Sequence, residues 1–150
     1  MLFLAGGFMA KQLNIFIENK PGRLKSITDI LLNSNINILA FTLQDRKDFG
    51  LVKLLVNKPE QAYLALADKG YACALKDILA VSIKDKPGNL HKLTTILFDN
   101  NINVIDAHGF VIQPNKQGIC CIEVENAAKI KELVEKEGFT VLEESQLYEL

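Results

Sequence analysis

The sequence predicts an α+β chain of two βαββαβ units, each a four-stranded antiparallel sheet with both helices on one face. Three observations predict it: an internal repeat, apolar spacing that switches between strand and helix periods, and turn residues at matching places in both copies. The repeat is the strongest signal. Ile17-Glu18-Asn19-Lys20-Pro21-Gly22-Arg23-Leu24 returns as Ile83-Lys84-Asp85-Lys86-Pro87-Gly88-Asn89-Leu90, 66 residues later. Ile30 to Ile38 returns as Ile96 to Val104, and Gly50, Val56 and Gly70 return as Gly118, Val124 and Gly138. Two copies are too few to stack as a solenoid, so this is a domain duplication, with domains expected at 11–77 and 78–150.

Each element follows from local chemistry. Leu13–Glu18 and Leu79–Lys84 are short and β-rich and end at Lys-Pro-Gly, which reads as a strand stopped by a turn. Leu24, Ile27 and Leu31 lie at helical spacing, as do Leu90, Leu93 and Leu97. Asn35 and Asn101 suit the left-handed residue that ends such helices. Asn37–Gln44 and Asn103–Ile112 read as second strands, and Gly50–Val56 and Gly118–Val124 as third strands. Asn57 and Asn126 are the expected N-caps of second helices, with Pro59 and Glu60 supporting the first and Gly70 and Gly138 as stops. Tyr71–Lys76 and Phe139–Glu143 close the units, and the tail Gln146–Leu150 is expected to pair with a sheet edge. This order is the split βαβ, or ferredoxin-like, unit, and the two sheets are expected to join side by side into eight strands.

Composition excludes several classes. Hydrophobic residues make up 49% and charged residues 23%, as in an ordinary globular protein. A net charge of −1 gives no general attraction to nucleic acid or an anionic membrane, so neither is an expected partner. No apolar stretch approaches the length of a spanning helix. The apolar start lacks a basic n-region, and residues 1–8 read as a start-site artefact or a frayed end. Cys73, Cys120 and Cys121 form neither a disulfide framework nor a metal-ligand spacing, which points to a reducing, cytoplasmic compartment. His91 and His108 have no Ser or Cys spaced for a triad. No cofactor, no metal and no catalytic residue are expected.

The ferredoxin-like fold hosts many functions, so the chemistry must decide. The third strands, Leu51 to Leu55 and Ile119 to Glu123, carry no aromatic residue to stack on a base. The first turns carry no thiol pair, and Arg23 has only Asn89 as its counterpart, which disfavours copper and phosphate chemistry. What fits is Asn/Asp-Lys-Pro-Gly-x-Leu, an apolar helix, then Asn-Ile-Asn-Ile or Asn-Ile-Asn-Val. Present twice and spanning about residues 13–143, this pattern resembles the ACT domain family, in particular the regulatory domain of phosphoglycerate dehydrogenases. The resemblance departs at Ile17 and Ile83, where that pattern carries a histidine.

The resemblance implies an amino-acid-binding regulatory chain that assembles as a homodimer, with a biosynthetic enzyme as a partner. It implies ligand contact by Asn19, Lys20, Pro21, Gly22, Arg23 and Leu24, with Asn37 and Ile38. In the second copy it implies Asp85, Lys86, Pro87, Gly88, Asn89 and Leu90, with Asn103 and Val104. The physical case is simple. Glycine lets a ligand approach the backbone, first-turn amides attract a carboxylate, and Asn19 or Asp85 can meet an ammonium. The same Pro-Gly pairs serve the turn whether or not a ligand binds.

Overall fold

The structure is a computed structural model and describes residues 9–150. Residues 1–8, read above as an artefact or frayed end, lie outside the described residues. The chain divides into two units, Lys11–Lys76 and Asp77–Leu150, with Met9 and Ala10 belonging to the second.

The amino-terminal unit runs β1 (Lys11–Ile17), α1 (Arg23–Asn33), β2 (Ile38–Asp45), β3 (Gly50–Val56), α2 (Pro59–Asp68) and β4 (Ala72–Asp77). Its sheet has the order β2-β3-β1-β4. Antiparallel register sets Leu13 against Leu54 and Ile15 against Val52, so alternate residues of β1 and β3 share one face. Ile27 and Leu31 of α1 and Ala62 and Leu66 of α2 cover that face. Ile27, Leu31 and Leu66, fully buried, each contribute about 1.5–3 kcal/mol. Asn35 ends α1 with φ 53°, as expected, and Gly70 stops α2 with φ 87°. One expectation needs correction. Asn57 does not cap α2, since Lys58 holds that place. The Asn57 side-chain oxygen instead accepts from the Asn37 N–H at 2.9 Å, and the Asn57 N–H donates to the Asn37 carbonyl at 3.1 Å.

The carboxy-terminal unit runs β5 (Leu79–Lys84), α3 (Asn89–Asp99), β6 (Asp106–Gln113), β7 (Gln117–Glu123), α4 (Ala127–Lys136), β8 (Thr140–Leu142) and α5 (Glu144–Leu147). Its sheet order, β6-β7-β5-β8, repeats the first. Leu79, Val81, Leu93, Leu97, Ile122 and Val134 form its core. The second strand starts three residues later than the sequence suggests, because ahead of Asp106 only the Ile105 N–H bonds to the Glu123 carbonyl. The tail is helical, contrary to the strand expected of Gln146–Leu150. Glu143 and Gln146 form a reciprocal capping box, and Leu147 is fully buried, which favours a helical turn. Met9 forms an antiparallel bridge with Glu143, and the Ile78 N–H donates to the Ala10 carbonyl at 2.9 Å.

The stripe on α3 is not uniformly buried: Leu93 is fully covered, whereas Leu90 is 52% exposed. Leu93→Ala should therefore destabilise this unit by about 2–5 kcal/mol, and Leu90→Ala by less than about 1 kcal/mol. Hydrogen exchange at the β5 and β7 amides measures both; equal losses would contradict this seating of the helix.

Candidate functional site

Both bends between first strand and first helix have one geometry. Pro21 and Pro87 pre-set their own φ, and the glycines that follow take φ 90° at Gly22 and 92° at Gly88. A side chain there would be strained, since the left-handed region costs other L residues roughly 1–2 kcal/mol. The turns close by the Arg23 N–H on the Lys20 carbonyl and the Asn89 N–H on the Lys86 carbonyl. The first intrahelical bonds are the Ser26 N–H to Gly22 and the Lys92 N–H to Gly88. Neither helix has a side-chain cap. The space beside each glycine is open, with nothing within 4 Å of where a Cβ would stand.

Around this shared bend the copies diverge. In the amino-terminal unit Glu18 lies 3.3 Å from Lys20 and 3.8 Å from Arg23, in exposed pairs that contribute little to stability. Arg23 lines a hollow with Ser26, Lys69 and Tyr71, on the β4 side of the helix. Leu24 and Ile38 pack against the core, and Asn37 is held through its backbone by Asn57. Asn19 stands so close to β3 that a Cβ at Gly50 would lie 2.9 Å from its own Cβ.

In the carboxy-terminal unit the Asp85 carboxylate accepts the Asn115 N–H at 2.7 Å, and the Asp85 N–H donates to the Lys116 carbonyl at 3.2 Å. These bonds tie the bend to the β6–β7 turn. The Asn89 amide turns back to the Lys84 carbonyl at 3.0 Å. Asp85, Lys86, Leu90 and Val104 border one hollow of about 640 Å³ between α3 and β6. Pro87 and Gly88 shape the bend at its end. Asn103 is elsewhere, lining a separate hollow with Asn100, Asn101 and Glu125. The sequence reading missed Ala107 and Gly109, which border the same 640 Å³ hollow. Comparing the copies position by position would have found them, since they stand where the first copy has Phe41 and Leu43.

A family model described as an ACT domain pair matches residues 8–150. The chain belongs to the ACT domain family. Among solved structures, this ACT pair is 33% identical to protein BT0572 from Bacteroides thetaiotaomicron, with a TM-score of 0.87 over 96% of this chain and 99% of that one. It is 18% identical to the regulatory subunit of aspartate kinase from Thermus thermophilus, with a TM-score of 0.62 over 86% of this chain and 93% of that one. The corresponding subunit from Thermus flavus is 17% identical, with a TM-score of 0.58 over 86% and 92%. These last two likenesses concern the fold alone. No curated protein matches the sequence.

The thiols of this ACT pair are not poised to react. Burial raises the pKa of Cys73 and of Cys120. Cys121 is pushed up to about 12, first by burial and then by Cys120 and Asp106. It lies opposite His108 in the β6–β7 register, yet a raised pKa is the reverse of what an activated nucleophile needs. His91 sits in the first turn of α3, with Thr95 Oγ1 3.5 Å from its Nε2.

These environments predict an order of alkylation. Cys73 is partly exposed and the other two are buried, so iodoacetamide at pH 8 should label Cys73 first and Cys121 last. At that pH the Cys121 thiolate fraction is on the order of one in ten thousand, and it grows about tenfold per pH unit. Peptide mass spectrometry against time reads this directly, and early labelling of Cys121 would contradict its described burial.

Proposed function

We propose that this ACT pair is a cytoplasmic regulatory protein that binds a free α-amino acid and performs no catalysis. The observation that supports the reading most is the pair of open bends. Gly22 and Gly88 hold positive φ with unfilled space beside them and no side-chain cap on the helix that follows. Bare first-turn amides with an aligned helix dipole suit a carboxylate. Asn19 offers an amide oxygen to the ammonium, and Asp85 offers the carboxylate oxygen that Asn115 leaves unused. Asn37 and Asn103 each offer a further side-chain amide to the ligand in this reading. The elevated thiol pKa values favour a non-catalytic role.

The active species in this reading is a homodimer whose sheets meet at their edge strands. β2 and β6 are edges of their sheets, and Phe41 on β2 is 61% exposed. Leu32 and Phe98 occupy equivalent helix positions and are 75% and 82% exposed. These side chains supply the apolar contact surface in this reading. The same pair also favours a second reading, in which the chain is the regulatory small subunit of an amino-acid biosynthetic enzyme such as acetolactate synthase. Co-purification with a stoichiometric catalytic chain would favour that assembly.

A thermal-shift and calorimetric screen of the twenty amino acids tests the main reading. A ligand that binds only the folded state at 100 times its Kd stabilises it by about 2.7 kcal/mol. At least one amino acid should raise the melting temperature, and no response at millimolar concentration would overturn the sensor reading. Sedimentation equilibrium should give twice the 16.7 kDa chain mass, and Leu32→Glu with Phe98→Glu should shift the mass towards the monomer.

A further inference from the structure

We infer that the two copies are unequal, and that the carboxy-terminal unit selects an amino acid with a large apolar side chain. This rests on the amino-acid reading above and adds the class of ligand. The hollow of about 640 Å³ is the basis, a size typical of small-molecule sites. Its walls are mainly apolar, Leu90, Leu93 and Leu97 from α3 with Val104, Ala107 and Gly109 from the neighbouring segment and strand, and Thr94 and His108 are the polar side chains among them. One end is charged, where Lys84, Asp85 and Lys86 lead into the Gly88 bend. A zwitterion with an apolar tail has the same division, with charge at one end and hydrocarbon at the other.

Compared between the two copies, one wall of the hollow is shared and the other differs. The helical wall is common to both copies, since Leu24, Ile27 and Leu31 stand where Leu90, Leu93 and Leu97 stand. The strand is different. Phe41 pairs with Leu54 and Leu43 with Val52, while Ala107 pairs with Ile122 and Gly109 with Cys120. Leu54, Val52, Ile122 and Cys120 all belong to the cores beneath the helices. By the strand's period of two, all four edge positions face their own helices. Phe41 and Leu43 therefore project side chains where Ala107 and Gly109 leave the strand nearly bare.

Gly109 is not required by its backbone. Its φ lies outside the left-handed region, and an added Cβ meets only the Ile119 carbonyl, at 3.4 Å. Gly109→Leu thus places in the second copy the residue that the first already carries. It narrows the hollow without a positive-φ penalty.

Calorimetry on the full chain tests the inference, with leucine, methionine and phenylalanine against glycine, serine and aspartate. The apolar set should bind at least tenfold tighter, a ratio within reach of a pocket that fits several methylenes. Gly109→Leu should weaken the apolar set at least tenfold, and Leu43→Gly should leave it unchanged. Methyl NMR of the wild type with leucine should shift Leu90 and Val104 and not Leu24 or Ile38, and this reading stands even where Gly109→Leu folds poorly. Serine or aspartate binding as tightly as leucine would overturn this inference alone, as would shifts confined to Leu24 and Ile38. Silence from every amino acid would overturn the proposed function and this inference with it.

Discussion

A peptide held near φ +90° at the junction of strand and helix is the constraint on which each unit depends. Gly22 and Gly88 meet it at little steric cost, because without a Cβ the left-handed region is open to them. The preceding prolines restrict the other half of the turn. Together they reverse the chain within a few residues, so that α1 returns over β1 and α3 over β5. Only then can Leu31 and Leu97 reach the faces carrying Ile15 and Val81. The same geometry leaves the first helical amides without a side-chain cap. Fold and candidate site thus draw on one local conformation.

Duplication kept that conformation and let its surroundings change. Glu18 stands where the second copy has Lys84, Asn19 where it has Asp85, and Arg23 where it has Asn89. Each change alters what the bend holds. Asp85 fastens the β6–β7 turn through Asn115, while Asn19 lies against the start of β3 at Gly50. Arg23 lines a hollow on the β4 side of α1, whereas Asn89 is bonded to the Lys84 backbone and does not line the large hollow of its unit. Retention of the core with drift around it is what packing predicts. Interiors tolerate little change of volume, whereas exposed loop residues rarely cost more than about 0.5 kcal/mol.

Much of the fold was legible because its signals are local. Asn35 and Asn101 were expected to end helices, and both have positive φ. The order of strands and helices followed from periods of two and 3.6 in the apolar residues. The misses have non-local causes. Asn57 has the chemistry of a cap, but the segment just before β2 claims its side chain through the Asn37 N–H. The tail was expected to pair with a sheet edge, yet Leu147 finds a buried position and Glu143 and Gln146 cap a helical turn. In each case a partner distant in sequence, or burial itself, outweighed the local preference.

Sequence alone determined the duplication, the element order and the positions that require glycine or asparagine, because these rest on backbone sterics and on periodicity along one chain segment. Tertiary structure decided which residues meet. Asp85 reaches Asn115, Asn103 lines a different hollow from Leu90, and the bare stretch at Ala107 and Gly109 faces a helix. Those outcomes depend on pairing register and on the volume of side chains brought together from separate elements. No window of sequence carries that sum.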